Sequence, residues 1–554
     1  MNSTTMLRSS VPSASATSVS QLSNFGHALP ASAVSSYMRR LVISQDRQWI
    51  NWNRKPHNGP SLMKAMKERA LPVRNSAAQT EFLSNTLDAL DVQESTEPKI
   101  SEASKPERNL EDIWREIQGA NNWEGLLDPM DGILRKEIIR YGEFAQACYD
   151  GFDFDPFSKY CGSCKYHRRE LFQGVGMSDY GYEVTKYLYA TSNINLTGLF
   201  QKPRVQKMWS THANWMGFIA VATDEEEIKR LGRRDIVIAW RGTVTYLEWI
   251  ADLMDYLRPA ELNYVHPHPD VKIESGFLSL YTARERDCRF CKSSARDQVL
   301  SELRRLLQKY KGEQLSITIT GHSLGSALAM LSAYDIAELG LNQSESDDRA
   351  ESIPITVFSF AGPRVGNAAF KDRCEELGLK FLRVVNVHDI VPKVPGILFN
   401  ETFKMMKQWI DKLPWSYCHV GVKLVLDHTQ SPFLKPTNDS SCFHNLEAHL
   451  HLLDGYHGRG QRFCLTSRRD PALVNKSCDF LKEHHLVPPF WRQDANKGLI
   501  QNSEGRWVQP ERIRIIEESH MDPDHHETVS HSENQVRPDV AINGHSQPSV
   551  LQQL

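Results

Sequence analysis

The chain has 554 residues, 40% of them hydrophobic and 24% charged, which excludes a small disulfide-stapled scaffold, a fibrous repeat and a wholly disordered polymer. Lys and Arg number 65 against 68 Asp and Glu, a net charge of −3 that argues against a dedicated nucleic-acid binder, whose affinity needs a basic face to release counterions. No stretch reaches the ~18 uncharged apolar residues that spanning a bilayer requires, so any membrane contact is expected to be peripheral.

From Met1 to Gln45 there is no Asp or Glu, Ser and Thr recur densely, and Arg8, Arg39 and Arg40 carry the only charges. A Ser-rich, acid-poor, mildly basic leader without a continuous apolar run has the composition of an organellar transit peptide rather than a secretory signal, and so much Ser with so little Arg favours the plastid. Residues 1–78 are therefore expected to be a plastid transit peptide and leader. From about Asn51 to Glu107 the chain mixes Lys and Arg with Ser, Pro and Glu without periodicity, and residues 79–107 read as a linker.

Two Cys-x-x-Cys pairs, Cys161/Cys164 and Cys288/Cys291, lie much further apart than the ~15–20 residues of a zinc ribbon. They read as unrelated thiol pairs, and the remaining single cysteines suit a reducing compartment. Trp215 to Thr223 and Asp235 to Trp240 are short β-branched or apolar runs, the pattern of buried neighbouring strands. Asp297 to Tyr310 places Val299, Leu303, Leu306, Leu307 and Tyr310 on one helical face. Leu315 to Thr320 switches to period two, Leu324 to Leu339 is an Ala- and Leu-rich helix, and Ile355 to Phe360 and Phe381 to Val387 are further strands. Helix alternating with apolar strand indicates an α/β fold with a largely parallel sheet covered on both faces. After Ile516 the chain becomes acidic and scatters His520, His525, His526, His531 and His545 among Gln, Pro and Ser; residues 516–554 read as a solvated tail.

Gly321-His322-Ser323-Leu324-Gly325 joins the Leu315 strand to the Leu324 helix. In that context Gly-x-Ser-x-Gly predicts a nucleophile elbow, in which a tight turn holds the serine in a strained backbone conformation. The flanking glycines remove Cβ atoms that would strike the neighbouring strand and helix. The helix N-terminus turns backbone N–H groups toward developing negative charge. A serine needs a base, and in this fold the partners follow in the order serine, acid, histidine. Asp389 emerges from the end of the Phe381 strand with Ile390-Val391-Pro392 after it, whereas Asp335 and Asp372 fall on helices. For the base the residues alone leave His419, His428, His444, His449 and His451 open, although His444, in a loop before a helix, has the freedom to reach the serine.

Gly-His-Ser-Leu-Gly followed by Ala327-Leu328-Ala329, Phe360-Ala361-Gly362-Pro363-Arg364-Val365-Gly366-Asn367 and Asn386-Val387-His388-Asp389-Ile390-Val391-Pro392 resembles the class 3 lipases, most of all the plant plastid phospholipases A1 of the DAD1-like class I type. The resemblance runs from about Arg108 to Arg512, with further matches at Trp240-Arg241-Gly242-Thr243, Glu248 to Leu253 and Glu274-Ser275-Gly276-Phe277. Many lipases of this class have His where this chain has Glu274, which is not a triad position. The resemblance implies an α/β-hydrolase fold over 108–515, and it points to His444, which opens His444-Asn445-Leu446-Glu447-Ala448-His449, as the base. It also implies an oxyanion hole from Thr243 and the backbone of Leu324, and a lid carrying Tyr246, Leu247, Trp249 and Ile250.

The expected function is a serine acylhydrolase acting on glycerolipids at a membrane or lipid-droplet surface, in plastids and peripheral to membranes or plastoglobules. It needs no metal or organic cofactor, binds no nucleic acid and has no transmembrane segment. The resemblance further implies phospholipase A1 (sn-1) activity on phosphatidylcholine, with galactolipid and triacylglycerol as additional substrates. Two alternatives stand beside it: a neutral-lipid triacylglycerol lipase, and a lipase-like signalling protein that acts by binding partners.

Overall fold

The parallel strands are built from the apolar runs of the sequence, and they hydrogen-bond side by side in chain order. In this computed structural model the described residues are 108–155, 158–191, 213–243, 256–343, 352–395, 416–467, 469–492, 500–504 and 506–508. The leader and linker, the lid candidates Tyr246, Leu247, Trp249 and Ile250, and the tail from residue 516 lie outside them. The main sheet comprises β1 (Tyr182–Ala190), β2 (Asn214–Ala222), β3 (Arg234–Trp240), β4 (Leu315–His322), β5 (Ile355–Phe360), β6 (Lys380–Asn386) and β7 (Val422–Leu426), in the order 1-2-3-4-5-6-7. β1, β2 and β3 pair antiparallel, whereas β3 through β7 are parallel throughout. The predicted strands and helices fall within two residues of those observed. The edge strands β1 and β7 mix polar residues with apolar ones, and Glu183 and Lys423 are exposed, as edge positions permit.

Helices α1 (Leu110–Ile117), α2 (Gly132–Asp150), α3 (Glu225–Leu231), α4 (Ser275–Thr282), α5 (Ala295–Lys309), α6 (Leu324–Glu338), α7 (Ala368–Glu376) and α8 (Leu446–Asp454) cover the sheet. Two apolar cores result. One joins α2 and α8 to β5 and β6 through Tyr141, Phe144, Phe358, Phe360, Leu446 and Leu450, and the other joins α4, α5 and α6 to β3 and β4 through Phe277, Leu303, Leu331, Ile238 and Ile319. The period-two pattern of β4 therefore does not mark a solvent face. Ile317 and Ile319 enter the second core, while Thr318 and Thr320 face α2 and are buried. Thr320 Oγ1 donates to Tyr141 O at 2.9 Å, and Thr318 Oγ1 donates to Asp235 Oδ1 at 2.7 Å. The buried Asp235 carboxylate also accepts from Ser316 Oγ at 2.6 Å and from the hydroxyls of Tyr141 and Tyr182, each at 2.9 Å. Buried polar groups cost stability unless paired, and this hub pairs four of them while fixing α2 against the sheet.

Glu274, where relatives often carry His, caps α4: its Oε2 accepts the Phe277 N–H at 2.8 Å. Among the described residues no helix is long and apolar enough to cross a membrane.

Candidate active site

β4 runs directly into α6, and Ser323 is the single residue between them, at φ 59° and ψ −126°. Positive φ is costly for a residue with a side chain, so the surroundings must impose it. They do so by close packing: a Cβ on Gly321 would lie 2.4 Å from the Gly325 carbonyl, and one on Gly325 would lie 2.3 Å from Trp240 O. The strand end, the elbow and β3 can approach this closely only without those Cβ atoms. Ser323 N–H donates to Phe360 O at 2.9 Å and Ser326 Oγ to Gly321 O at 2.6 Å, which fix the turn to β5 and to itself.

Asp389 follows β6 in the turn after Asn386, as the sequence predicts. Its Oδ1 accepts the Val391 N–H at 2.9 Å, so one oxygen is occupied and the carboxylate plane is set. The other, Oδ2, lies 2.7 Å from His444 Nδ1, and His444 Nε2 lies 2.8 Å from Ser323 Oγ. All three residues are buried. A carboxylate only accepts, so Nδ1 carries the proton and Nε2 is left to accept from the serine hydroxyl. The arrangement can draw a proton from Ser323 toward His444 while Asp389 faces the positive charge that develops. The rival acids do not reach it: Asp372 lies on α7, and Asp335, on α6, pairs with Arg296 at 2.8 Å.

Against this geometry stand the comparisons with known proteins. Residues 237–399 match the class 3 lipase family. The chain is 54% identical over 509 residues, 90% of its length and 98% of the relative's, to Phospholipase A1-Igamma1, chloroplastic, of Arabidopsis thaliana. The chain belongs to the class 3 lipase family. From the same plant, Phospholipase A1-Igamma2, chloroplastic, is 60% identical over 433 residues, covering 77% of this chain and 81% of the relative. Galactolipase DONGLE, chloroplastic, is 51% identical over 349 residues, covering 62% and 70% respectively.

In this class 3 lipase the two oxyanion candidates flank the serine. Leu324 opens α6 beside it, and a Cβ built on Gly242 would lie 3.2 Å from Ser323 Cβ, which puts the Gly242–Thr243 backbone against the nucleophile. The buried Arg241 fixes that peptide. Its Nη1 donates to Gly242 O at 2.7 Å and its Nε to Trp215 O at 3.0 Å, so the trans peptide turns the Thr243 N–H to the opposite side. Burial pushes the Arg241 guanidinium down to about 10.

The other histidine candidates make different contacts. His419 is hydrogen-bonded to Pro392 O at 2.8 Å, and His451 to Ser431 Oγ at 2.9 Å. His428 stacks on Phe443 with ring centroids 4.6 Å apart. His449, on α8, faces the acid: its Nδ1 donates to Asn445 O at 2.9 Å and its Nε2 stands 4.0 Å from Asp389 Oδ2. Burial lowers its pKa, so it is neutral and leaves the acid to His444.

Sequence reasoning missed the groups that hold His444. His322, the second residue of the elbow motif, donates from Nε2 to the His444 carbonyl oxygen at 2.7 Å, and its Nδ1 accepts the Tyr149 hydroxyl at 2.7 Å. That pattern needs a neutral imidazole, and burial, with His444 and His449 nearby, holds its pKa well below the usual histidine value. Asn386 Nδ2 adds a bond to Phe443 O at 3.2 Å. His322 was visible inside the motif, but nothing in the sequence ties it to a loop more than a hundred residues away. The pairs Cys161/Cys164 and Cys288/Cys291 are not gathered into a metal-ligand group among the described residues.

Proposed function

We propose that Ser323, His444 and Asp389 are the catalytic triad of a phospholipase A1 that releases the sn-1 acyl chain of glycerolipids in plastids. The observation that carries this reading is the unbroken hydrogen-bond chain from Ser323 Oγ through His444 to Asp389, at 2.8 and 2.7 Å, on a positive-φ elbow. Ser323 Oγ attacks the ester carbonyl as its proton passes to His444 Nε2. The N–H groups of Leu324 and Thr243 receive the charge that forms on the carbonyl oxygen. His444 then protonates the departing glycerol oxygen, and water activated by the same imidazole cleaves the acyl-enzyme.

The relatives' names, phospholipase A1 and galactolipase, support phosphatidylcholine and galactolipids as substrates. The chloroplastic label they share, with the acid-free stretch from Met1 to Gln45, supports plastid import. On this reading the segment with Tyr246, Leu247, Trp249 and Ile250 is a lid whose apolar side chains meet the lipid surface. Purified protein is tested with a fluorophosphonate probe and with phosphatidylcholine carrying different acyl chains at the two positions. Labelling at Ser323 with release of the sn-1 chain is expected. An unlabelled serine would return the protein to the partner-binding class, and predominant sn-2 release would reject the A1 assignment while leaving the serine-hydrolase mechanism standing.

A further inference from the structure

β6 and β7 pair in parallel, with Asn386 opposite Leu426 and the Val387 N–H bonded to Leu426 O at 2.9 Å. Both strands therefore leave the sheet side by side, His388 following one and Asp427 and His428 the other. One ligand atom from each of these three side chains lies within 4.8 Å of the other two. His388 Nδ1 is 3.7 Å from Asp427 Oδ1, and the two imidazole rings are 4.5 Å apart at 71°.

Ordinary packing does not use these groups up. His428 is buried, yet its Nδ1 has no hydrogen-bond partner among the described residues. The His388 side chain is 45% exposed and so has room to rotate toward the other two. Asp427 is held in place, its Oδ1 accepting from Thr429 N–H at 2.9 Å and Thr429 Oγ1 at 2.8 Å, the kind of outer support that orients a ligating carboxylate.

We propose that His388, Asp427 and His428 bind one divalent cation of the zinc class, with water completing the shell. Two imidazoles and a carboxylate suit a borderline ion that accepts four ligands, and they suit calcium or magnesium poorly, since both demand more oxygen donors. Metal–ligand distances of about 2.0–2.1 Å place tetrahedral ligand atoms about 3.3 Å apart, so the trio must tighten, and rotation of the exposed His388 supplies that movement. His388 adjoins Asp389, and His428 stacks on Phe443, which adjoins His444. A bound ion thus ties the turn that carries the acid to the segment that carries the base.

The full chain, stripped with a chelator, is titrated with zinc chloride against a chromophoric chelator, and its melting temperature is followed with and without zinc. Wild type should bind one more equivalent than His388→Ala or Asp427→Ala, or bind it at least ~10-fold more tightly, and should gain thermal stability with zinc that both variants lack. Because His388 is exposed, His388→Ala leaves the packing intact, and zinc held by cysteines or by the tail histidines is common to all three proteins. Equal stoichiometry, affinity and zinc-dependent melting in wild type and both variants would overturn the site, as would a wild type that binds no zinc at micromolar concentration.

Discussion

The proposed nucleophile, Ser323, and the proposed base, His444, are held in different ways. Ser323 is placed by its own backbone: a strand, a single residue and a helix, packed so closely that Gly321 and Gly325 admit no Cβ. His444 lies between a single helical turn, Ser440–Phe443, and α8, and is placed by side chains from elsewhere: His322, itself held by Tyr149, on its carbonyl, Asn386 on the preceding one and Asp389 on its ring. A steric constraint of neighbouring residues leaves a motif in the sequence. A set of hydrogen bonds gathered from α2, β4 and β6 leaves none. Substitutions at the elbow should therefore act all at once, and substitutions around the base should act by degrees.

The largest effects remove the chemistry itself. Ser323→Ala should keep the fold and lose on the order of 10⁴–10⁶ in kcat, and His444→Ala should fall nearly as far. The double variant should be little worse than either, because both losses disable the same proton-coupled attack. Steady-state kinetics with circular dichroism checks this; a near-normal His444→Ala would move the base to another histidine.

Next come the supports of each region. Gly325→Ala pushes a Cβ to 2.3 Å from Trp240 O, a backbone atom that cannot swing aside, and overpacking of this kind costs about 1–3 kcal/mol. A lowered melting temperature accompanied by a collapse in activity is the expected outcome. His322→Ala should instead reduce kcat by roughly 10–100-fold with KM little changed, since it loosens the base rather than the substrate site. Tyr149→Phe, which removes the hydroxyl and keeps the ring, should cost only a few-fold by the same measurement. If His322→Ala lost activity wholly through unfolding, the base would be no less backbone-determined than the nucleophile.

The smallest effect separates the two regions by pH. Burial holds His322, His419 and His449 below the ordinary histidine value of 6.5. Below about pH 6.5 the unfolded chain then binds protons that the folded chain refuses, so stability is level above that pH and declines as pH falls through the window. Chemical denaturation from pH 8 to pH 5 should show that decline, and a His449→Gln variant should show less of it.

Much of the fold was legible. The runs that became β2 through β6 are apolar because strands covered on both faces must be, and α5 and α6 announced themselves by their periodicity. β1 and β7 escaped notice because polar residues interrupt them, Glu183, Thr185 and Lys186 in the one and Lys423 in the other. Period two in β4 misdescribes its Thr face, which is buried and hydrogen-bonded to α2 rather than solvated. At the site, motif and strand end pointed to Ser323 and Asp389, and both are hydrogen-bonded to His444. The histidine needed the family resemblance, because five candidates share the same stretch of chain and local pattern does not separate them.

By itself the sequence determined the elbow, the Asp at the end of a strand and the alternation of strand and helix, all of which depend on neighbours a few residues apart. Only the tertiary structure decided which histidine meets Asp389, how Arg241 orients the Gly242–Thr243 peptide, and why His322 must stay neutral. Each depends on groups distant in the chain that meet in a buried space, where one unpaired donor or acceptor would cost more than the bond it forms.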